Sequence, residues 1–245
     1  MNPYPASSYP ATWGARALDL GAIMRQVYFW LAAGLVLGFG VAFALGRELL
    51  REGPDGPLVT LVANPIVWIG AIVVYLGIGF AFTPIVRRAS VSLGALLYLL
   101  FTVVFGLMIS TIFLQYDVAS ILAAFAVTAG MFAVMSVIGF VTKADLSKLG
   151  MILLLALIGL IIASVVNIFL ANSTLYWIVT YAGVLIFCGL TAYDTQWIKR
   201  AAAQASASGS AQTETRIALI GAFRLFLDFV NLFLFILRIF GGGRS

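Results

Sequence analysis

The chain has 245 residues, 63% of them hydrophobic and 9% charged, with a mean hydropathy of +1.11, more apolar surface than a soluble core of this length can hide. It contains no histidine and a single cysteine, Cys188, which excludes imidazole metal ligands, histidine-dependent catalysis and an intrachain disulfide. The net charge of +5 comes from basic residues set singly or in pairs at the ends of apolar runs, which points to membrane topology and lipid rather than to nucleic acid as partner.

Apolar runs long enough to cross a hydrocarbon core of ~30 Å recur along the chain, and an all-α integral membrane protein with seven transmembrane helices is expected. A tail over residues 1–22, rich in Pro, Tyr and Ser, precedes a bundle over 23–241. The spans run from Val27 to Leu45, from Pro65 to Ile85, from Val91 to Leu114, from Ala119 to Val141, from Leu149 to Leu170, from Leu175 to Ile198 and from Ile217 to Phe240. Spans three and four form a hairpin turning at Gln115, Tyr116 and Asp117. The Ala/Ser/Gln/Gly stretch 201–215 reads as a flexible linker, and 242–245 as a short C-terminal tail. Glycines within the spans (Gly34, Gly38, Gly77, Gly79, Gly183, Gly189) fit close helix packing in lipid.

With the N-terminus in the cytoplasm, that side collects Arg16, Arg25, Arg87, Arg88, Lys143, Lys148, Lys199, Arg200 and Arg216. The other side carries Arg47, Arg51, Arg238 and Arg244, the first two accompanied by Glu48, Glu52 and Asp55. Seven spans then leave the C-terminus outside. The tail is too polar for a signal peptide, and the absence of retention or transit signals favours a bacterial inner membrane.

Polar residues inside the spans are costly in hydrocarbon and mark function. Arg224, Asp228 and Asn231, spaced i, i+4, i+7, share one face of the seventh span, and Asp194 lies about one turn inside the Lys199–Arg200 boundary of the sixth. In the plain reading Asp228 neutralises Arg224 one turn away while Asp194 caps the surface beside Lys199. In the sharper reading the two carboxylates share a proton in a low-dielectric site and titrate as one unit, a proton-sensitive latch. Arg88 or Arg87, at the end of the second span, could bridge to the ionised acid, or simply anchor the positive side.

The run Thr142-Lys143-Ala144-Asp145-Leu146-Ser147-Lys148-Leu149-Gly150, then Asn167-Ile168-Phe169-Leu170, Tyr193-Asp194-Thr195-Gln196 and Leu227-Asp228-Phe229-Val230-Asn231-Leu232-Phe233 resembles the Bax inhibitor-1 family from about Arg25 to Gly241. The resemblance implies six helices surrounding a central C-terminal helix, and a pH-sensitive calcium leak in which Asp194 and Asp228 are the paired sensor and ion pathway and Arg88 the latch. Calcium is then the permeant ion, with the aspartate pair as its possible site, and no cofactor is implied. The second span lacks the glutamate some members carry, with Gly77 in that neighbourhood.

Rival readings fit less well. An intramembrane aspartyl protease would share Tyr193-Asp194 but needs Gly-x-Gly-Asp where this chain has Phe226-Leu227-Asp228, and a retinal protein needs a lysine in the seventh span. The protein is therefore not expected to be an enzyme. The remaining alternative is a non-conducting regulator that restrains a membrane-bound protease or another quality-control partner.

Overall fold

A computed structural model describes residues 20–53, 55–88, 90–207 and 210–241, and among them the only regular structure is helical. In chain order the helices are α1 (Leu20–Glu52), α2 (Pro57–Ala63), α3 (Pro65–Arg88), α4 (Val91–Ile109), α5 (Ile112–Gln115), α6 (Val118–Val141), α7 (Ser147–Leu170), α8 (Ser173–Ala207) and α9 (Ala211–Gly241). Seven segments are long and apolar enough to span a membrane, α4 and α5 counting as one, and they coincide with the seven expected runs. Local chemistry sets several ends. Ser90 caps α4 through the Leu93 amide, and Asp117 caps α6 through the Ser120 amide, 2.8 Å away, at the expected turn between spans three and four. The two spans do not pair chiefly with each other as a hairpin would: α4 packs on α1, α3 and α9, and α6 on α8 and α9. Proline occupies the first position of α2, an element the hydropathy pattern does not single out.

Two boundaries differ from expectation. α1 begins at Leu20, inside the segment taken as tail, while residues 1–19 and 242–245 lie outside the described residues. The stretch taken as a flexible linker is largely helical: α8 continues to Ala207 and α9 starts at Ala211. Composition misleads there because the alanines that make 201–207 look featureless are the strongest helix formers, and α8 simply extends past the apolar boundary.

α9 is the most buried span and packs against α1, α3, α4, α6 and α8. Its Phe223, Phe226, Phe229 and Phe233 meet Phe82, Phe101, Phe105, Phe125 and Phe39 of α3, α4, α6 and α1, mostly edge to face. α3 and α7 are the least buried and face outward. Glycine permits the closest helix approaches: a Cβ on Gly106 would strike the Gly38 carbonyl of α1, and one on Gly139 would strike the Ala192 carbonyl of α8. Gly34, Gly38, Gly183 and Gly189 likewise lie against neighbouring helices, whereas Gly77 faces open space and serves no packing.

Candidate functional site

Arg224 and Asp194 form the centre of the site. The guanidinium donates from Nε to Asp194 Oδ2 at 3.0 Å and from Nη2 to Asp194 Oδ1 at 2.5 Å, a two-pronged bond between α9 and α8. Tyr193 and Trp197 flank it, with ring centroids 5.8 and 4.3 Å from the guanidinium carbon. The arginine therefore does not pair with Asp228 along its own helix. Arginine before acid is the weaker i, i+4 order, and the Asp194 carboxylate of α8 takes both prongs of the fork. Nor does Asp194 cap the surface beside Lys199, whose Nζ donates to the Phe140 carbonyl.

Asp228, 4% exposed against 6% for Asp194, has its Oδ2 buried with no hydrogen-bond partner among the described residues. An unpaired carboxylate oxygen in such a place is among the costliest arrangements a fold can hold. Asn231 donates to the Leu227 carbonyl. Asp194, Arg224, Asp228 and Asn231 all line one cavity of about 400 Å³ between α7, α8 and α9, whose remaining wall includes Gly150, Leu154 and Leu157 of α7 and Tyr193 of α8. The structure thus brings the two aspartates, Arg224 and Asn231 together. It leaves Arg87 and Arg88 apart: both are exposed at the end of α3, and among the described residues neither guanidinium contacts an aspartate. Groups of three or more His, Cys, Asp or Glu side chains fit to hold a metal are absent among the described residues.

One polar constellation escapes sequence reasoning. The loop between α6 and α7 is pinned to α8 by Gln196, which accepts from the Leu146 amide at 2.9 Å and donates to the Ala144 carbonyl at 2.8 Å. Arg200 adds bonds to Asp145 and to Ser147, which also lines the cavity. The signal in the sequence is Gln196 itself, an amide two residues beyond Asp194, which the structure buries. The Asp145 carboxyl is lowered to about 2 by hydrogen bonds from the Ser147 amide and hydroxyl and then from Arg200. Its contribution is complete above the ordinary carboxylate range and is lost only as pH falls through about 2, so the pin stays closed across neutrality. A spin label on exposed Lys143 should therefore show equal mobility at pH 5 and pH 8. It should loosen in an Asp145→Asn/Gln196→Ala double variant.

Comparison with known proteins agrees with this architecture. Residues 20–245 match the family described as Inhibitor of apoptosis-promoting Bax1. The chain is 40% identical over 226 residues to Inner membrane protein YbhL of Escherichia coli (strain K12), covering 92% of this chain and 93% of that protein. It is 37% identical over 216 residues to an uncharacterized protein of Deinococcus radiodurans, covering 88% of each. It is also 35% identical over 249 residues to an uncharacterized protein of Caulobacter vibrioides, covering 98% and 97%. Seven apolar helices, the Tyr193-Asp194 and Leu227-Asp228 motifs meeting at one cavity, and a family match across nearly all of the chain lead to one conclusion: this is a member of the Bax inhibitor-1 family.

Proposed function

We propose that the protein is a pH-sensitive calcium leak of a bacterial inner membrane, with no enzymatic step and no resident cofactor, its N-terminus cytoplasmic and its C-terminus outside. The observation that carries this reading is the asymmetry of the acid pair: Asp194 is held by Arg224, while Asp228 Oδ2 is buried beside them without a partner. In this reading Asp228 is the group that gains and loses the proton, and Arg224 is the latch in place of Arg88 or Arg87. Deprotonation of Asp228 puts a second negative charge within reach of Arg224, so the arginine is drawn between two acids and the α8–α9 contact has two settings. A hard divalent cation wants six or more oxygen ligands, so calcium passes the carboxylates and the Asn231 amide as cargo and is not held as a bound metal. The name of the Escherichia coli relative and the basic end of the bundle support the membrane and the orientation.

The test is calcium release from loaded liposomes reconstituted with the purified protein. Release should change between pH 6 and pH 8, and Asp228→Asn, which fixes the neutral form, should remove most of that change. Asp194→Asn frees Arg224 to pair with Asp228 and should shift the dependence instead of abolishing it. Release equal to protein-free liposomes at every pH would overturn the channel reading in favour of a partner-binding role.

A further inference from the structure

We infer that a second cavity, at the basic end of the bundle, binds the phosphate of an anionic phospholipid headgroup. It has a volume of about 480 Å³ and lies where the last turn of α3, the extension of α8 and the first turns of α9 meet. Arg87 lines it from α3, Trp197, Arg200 and Gln204 from α8, and Thr213 and Ile217 from α9. Among the described residues lining it none is acidic.

The charge is available. Arg87 is exposed, and among the described residues its guanidinium has no carboxylate partner; the neighbouring contact from Arg216 goes to the Arg87 backbone carbonyl. Arg200 is ion-paired with Asp145 through Nη1, which also donates to Ser147, so it serves the cavity through its remaining N–H donors while Arg87 brings the charge. Two guanidinium groups from different helices, with the Gln204 amide and the Thr213 hydroxyl, form the donor set that phosphate oxygens accept from. The position selects a lipid. Arg87 and Arg88 close the apolar run of α3, which sets the cavity at headgroup depth, and Trp197 and Ile217 give it an apolar wall for the glycerol region. Trp197 is also the ring against Arg224, so an occupant here sits one side chain from the acid pair.

Binding is tested apart from any ion flux, by native mass spectrometry of the full-length protein in mild detergent with phosphatidylglycerol or phosphatidylcholine. The wild type should retain phosphatidylglycerol in preference. Arg87→Gln should weaken retention about fivefold and Arg87→Gln/Arg200→Gln further, each near-surface arginine acting roughly independently. Arg47→Gln, at the opposite end, should leave retention unchanged. Equal retention of both lipids, or undiminished phosphatidylglycerol on the double variant, overturns the inference. Stripping of the lipid by millimolar inorganic phosphate would assign the cavity to a soluble anion and overturn the lipid assignment.

Discussion

Replacing Arg224 with alanine will destabilise the protein by about 3 kcal/mol, read as a lowered midpoint in thermal unfolding of the detergent-solubilised protein, because it removes one partner of a buried ion pair. The physical argument turns on what is left behind. Asp194 is 6% exposed and receives both its charge-assisted bonds from this one guanidinium, so alanine strands a carboxylate between apolar helices. The contact over Trp197 disappears as well, a smaller loss. The two contributions separate in an Arg224→Met/Asp194→Asn double variant, which removes both charges and keeps most of the volume. If charge dominates, the double variant regains most of the lost stability. A double variant as unstable as the single would show that packing on Trp197 carries the effect.

The second large effect is expected from one methyl group. Gly139→Ala places a Cβ where the Ala192 carbonyl of α8 already lies, with further backbone atoms at 2.8 and 2.9 Å. Both sides of the clash are helical backbone, which cannot rotate out of the way as a side chain could, so α6 and α8 must separate. Overpacking of this kind costs about 1–3 kcal/mol, and separation also disturbs Asp194, two residues along α8. Gly130→Ala is the matched control on the same helix. Nothing lies within 4 Å of that position, and alanine should be neutral or mildly stabilising there. Comparing the two variants by thermal unfolding and by size-exclusion profile isolates the contact from general helix propensity. Equal behaviour would mean that α6 and α8 are free to part.

Sequence reasoning succeeded where a single scale governs the outcome. Spans bounded by residues such as Arg87 and Arg88 or Lys199 and Arg200 were readable because the cost of charge in hydrocarbon is large and local. It stopped short where geometry between helices decides. The i, i+4 spacing of Arg224 and Asp228 suggests an intrahelical pair, and only the rotation of α8 against α9 reveals that Asp194 takes the arginine. The Gln196 clamp depends in the same way on where the α6–α7 loop falls over α8. The course of 201–215 was missed for another reason, since a run of small residues serves equally as tether or as helix, and the helices on either side choose.

The ion pair between α8 and α9 also bears on how the chain enters the bilayer during synthesis. Arginine or aspartate near the centre of a solitary helix each adds about 2.5–3.5 kcal/mol to the cost of membrane insertion, and α9 carries both Arg224 and Asp228. Beside α8 the arginine arrives already neutralised by Asp194, and α8 and α9 follow each other closely in sequence, one ending at Ala207 and the next starting at Ala211. The final span is thus cheaper to deliver as half of a hairpin than alone. The pairing seen in the finished bundle solves a problem that the nascent chain meets first.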